Sequence, residues 1–593
     1  MGNNHTNILS HLYPNVQFDI YSLTDVVDGR ELEEEAERNI LKVPLLERIR
    51  LTSQEKEHIL HNYTSFVLNT IKINFPEAFP DLECVEVDHQ YKKLFENEVK
   101  VLTGPLIFET ESTLEGISKV IKNLIDVVCP VVSDAAGKPA PVFPTTFSGD
   151  QKTEKSARSA QLALCDNGDM RDCLQFIEGR HECLHLLFML SDVIKECFAD
   201  QNNLEESISL SRLIAMLNPK LASRKGKDDF YKFRDLYQDI YVALLSEFVR
   251  SELGVDDLRH DVTPGHINKE KEPKKKEALF VEMFRNIIKN SHADFEDCGK
   301  LNEAEPLPPF YPQHDYLRPK YQNKPQSWKP TEVPEMSAPA NVHKMVKVKF
   351  VDDNDVQLMG EVLRRAETVK PDAKHDYSSC LLSFIGQYLY LIDSQKNGNA
   401  LDVFLVQKKL TKVIYSTGHK NYSSTLINFK QIILGHWSPQ YSHRYMWNIS
   451  AGRAGKGMKM ARDQRQEHLN RYLKDSFKSV GVNLDEPNST RINNSCDLSL
   501  KVERKIVEFH ELDGSGKSHT KRDRRKQIDK LCNVFKQEKV AELIPGRKFN
   551  GPNVARSLDD LFDESSYRAW HYRKDKEMEK FSEFCKMNRP FSS

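Results

Sequence analysis

Apolar positions along this chain alternate in some stretches and recur at helical spacing in others. Val16, Phe18 and Ile20 alternate with polar neighbours, which predicts a strand within 15–27. A Glu-rich helical stretch follows, and then a long amphipathic helix around Glu55 to Ile73 that Phe75-Pro76 ends. Leu114 to Val128 repeats the helical spacing, interrupted only by Gly116. Val142 to Phe147 is a short apolar run suited to a buried strand, so Asp150 falls at a strand exit; Leu174 to Gly179 reads as a second strand. That strand leads into His181 to Ile194, apolar nearly all round and therefore expected to be a buried helix. Much of Leu204 to Leu253 is also helical by period.

Pro264 to Lys344 breaks the pattern. It holds Lys274-Lys275-Lys276, one helical island from Phe280 to Ile288, and nine prolines between Pro306 and Pro339. A linker or surface wrap with polyproline character is expected there. Helices resume from Val356 to about Val480, where Gly481 offers a stop, and a charged helix is expected from Lys521 to Val540.

At 593 residues the chain exceeds the size at which one hydrophobic core keeps growing, so two or more packed units are expected. The 85 Lys and Arg nearly balance the 87 Asp and Glu, leaving a net charge of -2, so a basic binding surface has to be local. The 11 cysteines never form Cys-x-x-Cys and no secretory leader precedes them. Reduced thiols in an intracellular protein follow, with the nucleus preferred to the cytoplasm. No apolar run approaches the roughly 18 residues of a membrane span, so no membrane partner is expected. Met1 to Thr6 satisfies the N-myristoylation pattern, but no basic cluster follows to reinforce a single acyl chain.

Against this background a few polar positions invite chemistry. Asp463 and Glu467 are four apart and share a helical face, while Leu469, Leu473, Phe477 and Val480 form a stripe on the other side. Spacing alone favours a solvated acidic face beside Arg462, Arg465 and Arg471, and Asp150 by itself is a turn acid after Gly149. His181-Glu182-Cys183-Leu184-His185 is a literal His-Glu-x-x-His, in which His181 and His185 would bind zinc and the glutamate would activate water. Glu205 or Glu206 would be the nearest third ligand. A histidine and cysteine at a packed helix start account for the same residues. Gly514-Ser515-Gly516-Lys517-Ser518 lacks the first glycine of a phosphate-binding loop and reads as a turn. Gly452 to Gly457 reads as a basic loop, from which Arg453, Lys456 and Lys459 could hold a DNA backbone beside Arg471. Lys521 to Lys526 is a nuclear-import or nucleic-acid patch, or a solvated helical face.

The run Gly149-Asp150-Gln151-Lys152-Thr153, with Arg158 and Gln161 after it, resembles a block of the family called domain of unknown function 6589. Glu467-His468-Leu469-Asn470-Arg471, preceded by Trp447-Asn448 and Asp463, resembles its other marked block, and Ile544-Pro545-Gly546-Arg547 a late one. The likeness extends over most of the chain, and the family's animal and fungal members look transposon-associated. The resemblance implies an α/β, predominantly helical fold: a ribonuclease H-like sheet with a large α-helical insertion. It divides the chain into a first core part with N-terminal helices (1–200), a helical insertion in two parts (201–263 and 345–445) around the 264–344 wrap, and a core-completing helix with a helical tail (446–593). In such a layout Asp150 and Glu467, with Asp19 and Glu178, would bind two Mg2+ or Mn2+ ions for phosphoryl transfer on DNA. The chain departs from the family at two acids. It has Val16-Gln17-Phe18-Asp19 in place of Asp-Asn-x-Asp, and Gly179-Arg180-His181 in place of Asp-Trp-His. A degenerate or domesticated transposase descendant is therefore expected, with a non-catalytic nucleic-acid-binding or scaffold protein and a zinc metallopeptidase as alternatives.

Overall fold

The computed structural model describes residues 6–12, 51–292, 371–509 and 524–552, with short breaks that include Asp150 and 453–456, together with 569–570 and 573–574. The strand expected within 15–27, Asp19, and the wrap beyond residue 292 lie outside the described residues, as do the side chains of Glu178 and His181.

Strand β1, Thr6–Leu12, pairs antiparallel with β2, Lys100–Ile107. Helix α1, Ser53–Asn74, opens on a capping box: the Thr52 hydroxyl accepts from the Glu55 amide at 3.1 Å, and the Glu55 carboxylate accepts from the Thr52 amide at 2.8 Å. Helix α2, Leu114–Val128, has the bounds its periodicity predicts because Thr113 caps it, accepting from the Gly116 amide at 3.1 Å. Gly116 interrupts the apolar pattern for a steric reason: a Cβ there would collide with the Thr110 carbonyl. A short antiparallel pair follows, β3 at Val131–Ser133 and β4 at Pro139–Pro141. Then come β5, Thr145–Gly149, helix α3, Gln151–Ala163, and β6, Ile177–His181, which runs parallel to β5 with Gly149 opposite His181.

Strand β6 starts three residues later than its sequence suggests, because Leu174 closes a turn with φ of 60° while its side chain is fully buried. The helix after it, α4, Cys183–Phe198, likewise starts two residues later than expected, leaving His181 on the strand. Helices α5, Leu210–Leu217, and α6, Phe230–Leu253, divide the next helical stretch. Helix α7, Pro273–Ser291, corrects the linker expectation for its first part: Phe280, Phe284, Ile287 and Ile288 are buried, and the helix packs on α1 and α6. Helices α8, Ala373–Asn397, α9, Ala400–Ser416, and α10, Lys420–Gln431, continue the helical region. A hairpin absent from the periodicity, β7 at Ser450–Gly452 and β8 at Lys459–Ala461, leads directly into α11, Arg462–Val480. Helix α11 ends at Gly481; α12, Glu486–Phe509, and α13, Arg525–Gln537, complete the order.

The protein is thus α/β and predominantly helical. Among the described residues the strands pair only two by two. The principal core is helical, built by α1, α4 to α10 and α13, with Trp447 at its edge. A smaller core joins α2 and α3 to β5 and β6 through Ile117, Val120, Ile121, Leu124, Ala157, Ala160 and Ile177. The continuous passage from β6 into α4 connects the two. Helices α11 and α12 share a third, minor cluster around Leu469, Leu473 and Cys496.

Candidate functional site

The first recognisable block of the sequence builds the β5 to α3 corner. A Cβ on Gly149 would lie 2.8 Å from Thr153 Cγ2 and 2.9 Å from its Cβ, so the glycine lets the first helical turn fold back against the strand end. Gln161, two turns further along α3, donates to the carbonyls of Leu174 at 3.0 Å and Ile177 at 2.6 Å, anchoring the entry to β6. Glu154, which is buried, forms an ion pair with Arg158 on the same helix. The block is a folding device around the strand that delivers Asp150.

The same end of the parallel pair meets the second block. The Glu182 amide donates to the Gly149 carbonyl at 3.1 Å, extending the strand pairing by one residue. The Glu182 side chain forms a buried ion pair with Arg462, at 2.9 Å to Nε and 2.6 Å to Nη2, and the guanidinium lies 5.5 Å from the ring centre of Tyr445. Asp463 is 8 % exposed and accepts from the amide of Leu184 at 2.9 and 3.1 Å, from that of His185 at 3.4 Å, and lies 3.3 Å from His185 Nδ1. It serves as the N-terminal cap that α4 lacks locally, since Glu182 makes no side-chain cap of its own. The start of α11 is therefore fastened to the start of α4, and α11 also packs against β5, β7 and β8.

One turn beyond Asp463, Glu467 is exposed. Its neighbour His468 lies 3.4 Å from the Tyr231 hydroxyl, which also receives Gln464 Nε2 at 3.0 Å. Partial burial of its ring, helped by Arg465 and Arg471 and opposed by Glu467, pushes the His468 imidazole below its ordinary pKa. Spacing makes Asp463 and Glu467 look alike, yet one is a buried structural acceptor and the other a solvent-facing carboxylate.

Of the acids with an expected catalytic role, Glu467 is at this edge, and Asp150 directly follows Gly149 but lies outside the described residues, as does Asp19. Glu178 stands on β6 opposite Thr146. Among the described residues no group of three or more His, Cys, Asp or Glu side chains is placed to hold a metal ion. The described part of the proposed Mg2+ or Mn2+ set is thus Glu467 alone.

The zinc-peptidase geometry is not reproduced. His181 is on a strand and His185 in the first turn of α4, so the pair is not separated by one helical turn, and Glu182 is engaged by Arg462. Glu206 is equally committed, to Lys374 at 2.7 Å. Of the residues expected to hold a DNA backbone, Arg453 and Lys456 lie outside the described residues. Lys459 is 3 % exposed and unavailable to one, which corrects that expectation, whereas Arg471 is exposed.

A family model described as a family of unknown function, DUF6589, matches residues 38–519. The chain belongs to that family. No curated protein and no solved structure matches it. The DUF6589 match takes in both blocks that meet at this edge and ends before Ile544 to Arg547. Arg462 immediately precedes Asp463, whereas Glu182 lies outside both blocks, and nothing in the sequence spacing signals their pairing. No helix among the described residues is long and apolar enough to cross a membrane.

Proposed function

We propose that this DUF6589 member is a transposase-derived, ribonuclease H-like protein that acts on nucleic acid at the edge where β5, β6 and α11 meet. The observation that carries the reading is the fastening of α11 to the end of a parallel strand pair and the start of α4 by Arg462 and Asp463, neighbours on one segment far from α4 in sequence. That arrangement leaves Glu467 exposed one helical turn beyond Asp463, on a helix that also packs against β5. Under this reading Asp150 and Glu467 would hold Mg2+ or Mn2+, which supplies Lewis-acid stabilisation to phosphoryl transfer. This chain's own contribution is a fastened helix that carries Glu467 and a strand whose last residue, Gly149, precedes Asp150 in sequence.

A second reading, a descendant that binds nucleic acid without cutting it, is favoured by the two departures from the family pattern and by Arg180, a buried side chain where the family carries Trp. The test is the purified protein with Mn2+ and labelled duplex or hairpin DNA, beside Asp150→Ala and Glu467→Gln. Metal-dependent cleavage lost in both variants supports transfer chemistry. Equal cleavage by all three removes these carboxylates from it, and salt-dependent binding with no cleavage by any selects the second reading.

A further inference from the structure

Helix α11 continues past Glu467 with a row of cations that the proposed metal site does not use. Its apolar side, Leu469, Leu473 and Phe477, packs on Ile492, Cys496 and Leu500 of α12. On the opposite side Glu467, Arg471, Lys474 and Lys478 lie along one face, since they follow at steps of four, three and four residues. All four are exposed. At a rise of about 1.5 Å per residue the three cations span about 10 Å, starting one turn beyond Glu467.

The row is also poorly neutralised. Among the described residues Arg471 and Lys474 have no carboxylate partner, and Lys478 has only the exposed Asp475 at 3.3 Å, a type of pair worth little in water. Some other surface cations, Lys119, Lys122, Arg171 and Arg259, are tied to Glu115, Asp172, Asp126 and Asp529; what sets the α11 cations apart is that they share one helical face. The three cations follow at about one helical turn each, so each long side chain can meet a separate phosphate of one strand.

We propose that Arg471, Lys474 and Lys478 form the track on which the phosphate backbone of a nucleic-acid strand lies as it runs away from Glu467. The inference rests on the nucleic-acid reading above but not on cleavage. Phosphate contacts of this kind set register and carry no sequence information, so the track binds DNA without regard to sequence.

The test is binding of the full chain to a fluorescent duplex between 50 and 200 mM salt, a range over which the Debye length stays on the order of 10 Å, the length of the row. Three proteins are compared: wild type, the triple Arg471→Gln/Lys474→Gln/Lys478→Gln, and a control triple on α7 and the turn before it, Lys271→Gln/Lys274→Gln/Lys275→Gln. Each lost phosphate contact lowers the slope of log affinity against log salt by about 0.9, so the α11 triple loses about 2.7. Over that fourfold change in salt its binding should strengthen roughly 40-fold less than that of wild type. The control triple keeps the wild-type slope. A thermal melt checks folding, and single Lys474→Glu reads the same slope should the triple unfold. An unchanged slope in the α11 triple, or an equal loss in the control, overturns the track, as does binding to anionic vesicles but not to DNA. A wild type that binds no DNA sinks the nucleic-acid reading as well. Loss in the α11 triple alongside absent Mn2+ cleavage keeps the track and removes only the transfer chemistry.

Discussion

Asp463 differs from Glu467 by the amides it faces. A carboxylate that accepts from the first turn of α4 replaces a missing local cap, and its removal leaves the Leu184 and His185 N–H groups without an acceptor. Asp463→Ala should therefore destabilise the protein by about 1 to 3 kcal/mol in denaturant melts, with Asp463→Asn losing about half as much because one acceptor oxygen stays. An Ala variant with wild-type stability would show that solvent caps α4 equally well. His292 is the corresponding case among the bases. It is fully buried, its Nε2 lies 3.2 Å from the Tyr63 hydroxyl, and Nδ1 lies 2.8 Å from Ser291 Oγ. Burial first, then Lys409, pushes its pKa down to about 3. A depressed histidine contributes stability that is present above its unfolded pKa of about 6.5 and is lost as pH falls toward about 3, because only the unfolded chain takes up the proton there. Between those limits wild type should lose up to about 1.4 kcal/mol per pH unit more than His292→Gln. Parallel stability profiles for the two proteins would rule this out. Neither role could be read from sequence, since neither Asp463 nor His292 sits in a pattern that announces burial.

Among the elements, those with local signals were legible. Apolar periodicity alone predicted α1 and α2 nearly to the residue, and the capping box of α1 and the Thr113 cap of α2, which lie within four residues of the helix they start, explain why the ends fall there. The entry to β6 was misplaced because Leu174 is apolar yet sits in a turn, held there by a core to which α2 and α3 contribute. The late block Ile544 to Arg547 was recognisable but its purpose was not. Arg547 grips Asp372 at 2.8 and 2.7 Å, the Ile544 amide donates to the same carboxylate at 2.7 Å, and Arg547 Nη1 reaches the Glu538 carbonyl at 2.7 Å. The segment after α13 thereby clamps the start of α8, where Asp372 caps the helix. Burial works to raise the Asp372 pKa, but Arg547 and the Ile544 and His375 amides together hold it below its ordinary value. Arg547→Ala leaves a fully buried carboxylate unpaired and should cost about 3 to 5 kcal/mol, while Arg547→Lys, which cannot reproduce the two-pronged grip, should lie between. Calorimetry of the three proteins tests the order, and an Ala variant no worse than Lys would contradict it.

At the scale of the whole molecule, the two main cores are separate clusters joined by the β6 to α4 passage and by the grip of α11. Ile121→Ala empties part of the smaller core, a loss of about 2 to 4 kcal/mol, and should speed native-state hydrogen exchange in α2, α3, β5 and β6 while leaving Leu244 and Leu245 of α6 unchanged. Uniform acceleration would mean that both cores open as one unit. By itself the sequence determined the helical character of the chain, the DUF6589 family, the ends of its best-capped helices and the apolar side of α11, because each depends on residues within a turn or two of one another. Tertiary structure alone decided that Asp463 is a cap and Glu467 a surface acid, that Lys459 is buried, and that His181 is on a strand while His185 opens a helix. Those outcomes depend on contacts such as that of Leu184 with Asp463, where the path of nearly three hundred intervening residues sets which groups lose their water (|i−j| of 279).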